Sequence, residues 1–374
     1  MKPGRLMRLT GLVRKEWLQV MRDPSSLAIA LVLPLVLLFI FGYGVSLDAK
    51  NVPIAIIVEQ PGDKSNAFAA SFYNTPYFQP HLVRSMQEAE ELLKQAKVQG
   101  IVWLRSNFDA EYLSRTSPPI GVIVNGVDAN TARLVDGYIQ GIWFGWLDKQ
   151  LELRGESLKP PLQLEQRIWY NPEVRSTDYL VPGVVAVVMT LIGSLLTALV
   201  IAREWERGTM ETLLVTRISV FELLAGKLIP YFVLGMAGFF ISLAMAYLLF
   251  DVPIRGSLVL LLAVSALFLL VALGMGLAIS TVFRSQFVAA LVSLVVTFLP
   301  AFLLSGFIFD IRSMPLIIQT ITRLIAARYY VSMLQTLFLV GNVGSILLIN
   351  SLYLLAMALF FLGLTYLKTG KQLD

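Results

Sequence analysis

Eight ionisable side chains crowd into residues 203–228 (REWERGTMETLLVTRISVFELLAGKL): Arg203, Glu204, Glu206, Arg207, Glu211, Arg217, Glu222 and Lys227. Four are basic and four acidic. Such a segment either neutralises itself as a solvated loop or presents a docking surface of mixed charge to another protein. These residue types suit ion pairing, not bond breaking. The chain has no Cys and one His, His81. That removes thiol chemistry, disulfides, Cys-based zinc or iron–sulfur sites and HExxH metal sites. A phosphate-cradling GxxxxGK[ST] loop is also missing. Gly226-Lys227 has Phe221 where the first Gly belongs and Leu228 after the Lys, and Gly370-Lys371 has Thr365 at the first position. No cofactor or metal is expected on this chain.

The elements that must position this segment are apolar. Of 374 residues, 56% are apolar and only 15% charged, and the mean hydropathy is +0.71. Soluble domains carry roughly 25% charged residues, so the composition points to a membrane protein. A helix needs about 20 apolar residues to cross the hydrocarbon. Six such runs occur, at 27–47, 180–202, 229–250, 257–282, 287–309 and 345–367, each free of Asp, Glu, Lys, Arg and His. The first run is read as a retained anchor, because no clean small-x-small cleavage site follows it. Ion-driven carriers usually place ionisable groups inside their spans, and these runs have none.

Lys and Arg set the orientation. Thirteen fall in 1–26, 203–228, 283–286 and 368–374, against four in the short loops of the other side. Both termini are therefore expected in the cytoplasm and 48–179 outside. Strands at 53–59, 101–104 and 120–124 and helices opening at Ser85 and Asn130 make 48–179 an α/β domain. His81, beside Pro80, reads as a surface loop residue. Residues 1–26 read as an amphipathic interfacial helix, with Leu6, Leu9, Val13, Trp17 and Val20 on one face. Residues 310–344 suggest two short helices at the outer membrane face, and 368–374 a cytoplasmic tail. The fold class is thus a polytopic α-helical membrane protein: six transmembrane helices plus an extracytoplasmic α/β domain between spans one and two.

The stretch Arg203-Glu204-Trp205-Glu206-Arg207-Gly208-Thr209-Met210-Glu211-Thr212-Leu213-Leu214 resembles the "RE.E.GT.E.LL" element of ABC-2 type permease subunits. Supporting motifs are Arg22-Asp23-Pro24, Asn171-Pro172, Tyr179-Leu180-Val181-Pro182-Gly183, Leu304-Ser305-Gly306-Phe307 and Ser313-Met314-Pro315. The resemblance covers essentially the whole chain. It points to the subgroup with a large extracytoplasmic domain between the first two spans. Two positions depart from it: Asp310 stands where Pro is common, and Ala326-Ala327 precede Arg328-Tyr329 without the usual Pro.

The resemblance implies a multidrug-type exporter permease of the bacterial inner membrane, moving an amphiphilic or drug-like substrate. ATP and Mg would be bound by a separate ABC ATP-binding subunit, so the chain is not itself an enzyme. Arg203, Glu204, Glu206, Arg207, Gly208, Thr209 and Glu211 would form the ATPase-coupling segment. A second permease subunit would face the first, with spans two and five at the midline. Met189, Gly193, Leu196, Thr197, Phe298 and Phe302 would line the substrate pathway or simply pack helices together. A periplasmic adaptor protein is a further expected partner, the lipid bilayer is the surround, and nucleic acid is not expected. The competing readings are an ion-driven or passive carrier and a membrane-anchored sensor using 48–179.

Overall fold

The first seventeen described residues already form a helix, α1 (Arg5–Met21), and Asp23 then opens the first span. The computed structural model describes residues 5–44, 50–112, 120–127, 129–154, 169–171, 175–210 and 218–369. Span 1 is Pro24–Gly44. Asp23 caps it by accepting from Ser25 N at 3.1 Å, with Pro24 at the first helical position, where its missing N–H costs nothing.

A compact unit, Leu47–Arg167, follows span 1 in the sequence. Its sheet runs in the order β2-β1-β3-β4, built from β1 (Val52–Val58), β2 (Phe78–Val83), β3 (Gly100–Leu104) and β4 (Ile120–Val124). Strand β1 pairs in parallel with β2 and β3, and β3 pairs antiparallel with β4. Four helices accompany the sheet: α2 (Asp63–Ser71), α3 (Met86–Lys94), α4 (Phe108–Glu111) and α5 (Ala129–Glu152). The two-residue alternation of β1 sorts the core. Ile54 and Ile56 face the layer of Phe68, Phe72, Phe108, Ile139 and Trp146, while Ala55 and Ile57 face Ala89 and Val98. Trp143 and Trp146 stack on each other and pack edge-on to Phe68, which makes them core residues.

Three expected strands are present, and one strand is additional. His81 is not in a loop but in β2, opposite Ala55, with its side chain exposed. Pro80 obscured this strand. Proline is compatible with β2 only because β2 is an edge strand.

The remaining five spans are Ser176–Glu206, Val220–Leu248, Leu258–Val282, Gln286–Leu304 and Gly344–Lys368. All six helices fall on the six apolar runs. Span 2 is the axis of the bundle and packs on spans 1, 3, 4 and 5. In its most apolar stretch 89% of residues are buried, against 22% in span 5 and 17% in span 6. Those two spans and span 1 turn their apolar side chains outward, as a lipid-facing surface requires.

Between spans 5 and 6 lie α6 (Leu316–Thr322) and α7 (Ala326–Gln335), the latter running on as a π turn to Val340. Two helices were expected at a surface, but α7 is a core element. Its Tyr330 is fully buried, stacks 4.1 Å from Phe268 and donates to Ser265 Oγ at 2.7 Å. Ala326 and Ala327 are buried too, so the departure from Pro there is matched by small residues at a packed helix start.

Candidate functional site

At the end of the bundle that carries α1, the described parts of the charged segment, 203–210 and 218–228, meet through Glu204 and Lys227. Span 2 continues beyond its apolar run to Glu206, and span 3 begins at Val220. Ser219 and Glu222 cap span 3 reciprocally: Glu222 N donates to Ser219 Oγ at 3.2 Å and Ser219 N to Glu222 Oε2 at 2.8 Å. Ionisable groups therefore do stand within the helices of spans 2 and 3 and, apart from Asp178 in the first turn of span 2, all are at one end. They are tolerated because they neutralise one another.

The centre of that neutralisation is Lys227, which is 1% exposed. Its Nζ lies 2.9 Å from Glu16 Oε1 on α1 and 3.0 Å from Glu204 Oε1 on span 2. Lys15 approaches the same two carboxylates, at 3.3 Å from Glu16 and 2.8 Å from Glu204. Two cations and two anions thus make a neutral cluster joining three elements. Gly226 makes the approach possible: a Cβ there would sit 2.9 Å from Leu12 Cβ. The Gly226-Lys227 pair, which does not fit a phosphate loop, is the contact point of α1 and span 3.

The buried residues of α1 are Leu12, Glu16 and Val20, of which Val20 alone belongs to the expected apolar line, while Leu9 and Val13 are half-buried. Leu6 and Trp17 from that line are exposed. The buried face includes Glu16, which reaches Lys227. Burial disfavours the Lys15 ammonium, but its hydrogen bond to Glu204 and the charges of Glu16 and Glu204 outweigh this and raise its pKa. Arg8 adds an outer pair, 3.0 Å from Glu222.

Arg203 turns toward span 1. Its Nη2 is 2.8 Å from Asp23 Oδ2 and its Nε donates to Gln286 Oε1 at 3.2 Å. The Arg22-Asp23-Pro24 and Arg203-Glu204 motifs, 180 residues apart, are therefore one structure. Burial would raise the Asp23 carboxyl. Hydrogen bonds from Ser25 and Ser26 and the Arg203 charge overcome this and hold it at about 2.

Of the seven expected coupling residues, Arg203 and Glu204 are buried in these intramolecular pairs. Glu206, Arg207, Gly208 and Thr209 are exposed, and Glu211 lies outside the described residues. Glu206 accepts from Gln286 N at 2.7 Å and from Gln286 Nε2. Thr209 Oγ1 donates to the Glu204 carboxylate. Gly208 has φ +67 in open space, so its backbone, not crowding, calls for glycine where span 2 stops. Trp205 is covered by Arg284 at 4.5 Å.

The expected pathway residues divide in two. Met189, Gly193, Leu196 and Thr197 are buried inside the protomer. Gly193 and Thr197 meet Ala272 and Gly276 in a seam of small residues between spans 2 and 4, the arrangement that lets membrane helices approach closely. A Cβ on Gly193 would lie 2.5 Å from Ala272 Cβ, and one on Gly276 2.0 Å from Ser194 O. Hydroxyls stitch the seam. Thr197 donates to Leu273 O at 2.8 Å, and Thr297 of span 5 donates to Ser194 Oγ at 2.8 Å. Span 2 thus sits at the centre of its own protomer, and the part of it expected at a midline faces spans 4 and 5. Phe298 and Phe302 are half-buried and stacked 5.8 Å apart, and Phe302 reaches Phe41 of span 1 at 5.6 Å.

At the opposite end the Tyr179–Gly183 and Leu304–Phe307 motifs meet, while Pro172 lies outside the described residues. Tyr179 OH donates to Gly306 O at 2.9 Å, and Phe307 occupies the notch left by Gly183, whose Cβ would lie 2.2 Å from the ring. Asp310, the other departure, caps a short 3-10 turn by accepting from Arg312 N at 3.0 Å.

The sequence did not single out Lys15, Glu16 and Lys227 as partners of Glu204, nor Asp23 as the partner of Arg203. A single acidic residue on a helix line with apolar neighbours was the available signal, at Glu16 between Leu12 and Val20.

Comparison with known proteins bears on this arrangement. Residues 24–367 match the family described as ABC-2 family transporter protein. The chain is 46% identical over 369 residues to the probable multidrug ABC transporter permease YbhS of Escherichia coli (strain K12), covering 98% of each. It is 28% identical over 334 residues to the probable multidrug ABC transporter permease YbhR of the same organism, covering 89% of this chain and 90% of the other. It is 29% identical over 325 residues to the inner membrane transport permease YhhJ, covering 86% of each. With its six spans and its motifs brought together at the two ends of the bundle, the chain belongs to the ABC-2 family of ABC transporter permeases.

Proposed function

We propose that this permease is the membrane-spanning half of an ATP-driven exporter for amphiphilic or drug-like molecules. The observation that carries the reading is the neutral cluster of Lys15, Glu16, Glu204 and Lys227, which locks α1, span 2 and span 3 together beside an exposed turn. A separate ABC ATP-binding subunit docks on that turn, through Glu206, Arg207, Gly208, Thr209 and Glu211. Arg203 and Glu204 act from behind it, passing a push on the turn to the spans. ATP and Mg reside on the partner. Closure of two such partners moves two permease subunits between states as rigid bodies.

Both termini and the turn face the cytoplasm, as the excess of Lys and Arg supports. The Leu47–Arg167 unit then lies outside, where a periplasmic adaptor protein can dock. The relatives' names support the bacterial inner membrane and a multidrug-type substrate. Phe298 and Phe302, half-buried on span 5, are better placed to meet substrate than the four buried span 2 residues.

The test is purification from native membranes with identification of what accompanies the chain, followed by ATPase assays in proteoliposomes. A stoichiometric ATP-binding subunit whose turnover responds to amphiphiles supports the reading. Transport by the permease alone, without ATPase subunits, overturns it.

A further inference from the structure

Between α1 and the adjoining ends of spans 1, 2 and 5 lies a cavity of about 790 Å³. Four cationic side chains line it, Lys15, Arg22, Arg203 and Arg207, and Asp23 is the acidic residue among its lining. Asp23 is already taken by Arg203, Ser25 and Ser26. Of the nearby carboxylates, Glu16 and Glu204 are buried in the ion cluster, and Glu206 is held by Gln286. Arg22 and Arg207 are exposed and have no side-chain partner among the described residues. Two guanidinium groups, one just past the end of α1 and one at the end of span 2, therefore meet at one cavity with their charges unspent.

The surroundings are apolar in a directional way. Leu18 lines the cavity and is exposed, as are its neighbours Trp17 and Met21. Span 5 opens with exposed Phe287 and Val288, next in the chain to the lining residue Gln286. A soluble anion would use the cations and leave this apolar rim without a function. A phospholipid uses both.

We propose that this cavity holds the anionic phosphodiester headgroup of a membrane phospholipid, with its acyl chains against the exposed apolar rim. Guanidinium forks match phosphate oxygens in bidentate geometry, and basic pockets between helices at the membrane surface take such headgroups. The cavity has the volume of a small-ligand site. Bound there, the headgroup bridges Arg22 to Arg207 and adds a second clamp beside the Asp23–Arg203 pair. The lipid would thereby tie α1 to the turn proposed to receive the ATP-binding subunit. The inference rests on α1 lying at the membrane surface, and it is independent of whether an ATPase docks.

The experiment uses the full permease alone, so that the exporter reading and the lipid reading fail separately. Native mass spectrometry of the detergent-solubilised chain would compare phosphatidylglycerol with phosphatidylcholine, for the wild type and for Arg22→Gln/Arg207→Gln. The expected result is retention of phosphatidylglycerol about tenfold or more above phosphatidylcholine, reduced about tenfold in the double variant. Binding to the wild type should also weaken as salt rises, a readout that survives if the variant folds poorly. Equal retention of the two lipids, or an unchanged double variant with an intact melting profile, would overturn the proposal. So would thermal stabilisation by inorganic phosphate alone equal to that by phosphatidylglycerol, which would assign the cavity to a soluble anion.

Discussion

Lys227 and Glu204 stand 3.0 Å apart, with Lys227 in the second turn of span 3 and Glu204 in the last turn of span 2. Both are buried, and Glu16 of α1 completes the contact from the other side of the ammonium. An ion pair in such a place is weak evidence of stability but strong evidence of dependence, since each charge needs its partner. The relation makes the family's acidic motif part of the permease's own framework before any partner is considered.

Replacing Lys227 by Met should therefore be severe. It leaves Glu16 and Glu204 buried with only half-exposed Lys15 between them. The expected loss is about 3–5 kcal/mol, read as a fall in melting temperature of the detergent-solubilised chain. Adding Glu204→Gln restores charge balance and should recover a large part of that loss. A double variant no more stable than Lys227→Met would rule out the coupling.

Crowding at the seam of spans 2 and 4 gives a second outcome. Gly276→Val must push the helices apart, because a Cβ already lies 2.0 Å from the Ser194 carbonyl. Overpacking of this kind costs about 1–3 kcal/mol, and the yield of monodisperse protein should fall. Gly363→Ala, in open space on span 6, should be neutral in the same assay.

Gly208 fails for a different reason. Its φ of +67 disfavours any L side chain although nothing crowds the position. Gly208→Ala should cost about 1–2 kcal/mol and Gly208→Asn less. If the turn receives an ATPase, both variants should also lower amphiphile-stimulated ATPase activity, measured at a temperature where each is folded.

The Asp23–Arg203 pair has a pH signature. The carboxyl is held at about 2 in the folded chain, below its ordinary 3.8. A depressed carboxylate stabilises fully above the unfolded value and loses that contribution as pH falls through the folded one. Stability from this pair should be flat from neutral pH to about 4 and decline between about 4 and 2. Asp23→Asn should remove that decline in a melting series across acid pH, and a decline of unchanged size would assign it to other groups.

Topology is open to labelling because the chain has no Cys. Gln60→Cys, Arg207→Cys and Thr320→Cys place thiols at exposed positions. Impermeant maleimide added to intact spheroplasts should label positions 60 and 320 and spare 207. Met210, although in the same turn as Arg207, is buried and would report poorly.

The six spans were legible in the sequence, because an apolar run of that length admits few structures once backbone groups must be satisfied without water. The same holds for Ser219 and Glu222, whose cap depends on residues three apart. Strands β1, β3 and β4 announced themselves by composition, whereas β2 did not, because its Pro80 is acceptable only at a sheet edge that the sequence cannot declare.

Partnerships belonged to the tertiary structure alone. Residues 203–228 read as a solvated loop or as a docking surface, and the structure divides them: Arg203 and Glu204 turn inward while Glu206 to Thr209 stay at the surface. Glu16 and Lys227 are 211 residues apart, and Arg203 and Asp23 are 180 apart. Gly193 and Thr197 could have lined a pathway, and packing against Ala272 and Gly276 made them a seam. Apolar length and local capping act over a few residues, so the chain encodes them in view. Charge neutralisation and close approach act across space, and they exist only after span 2 has been surrounded.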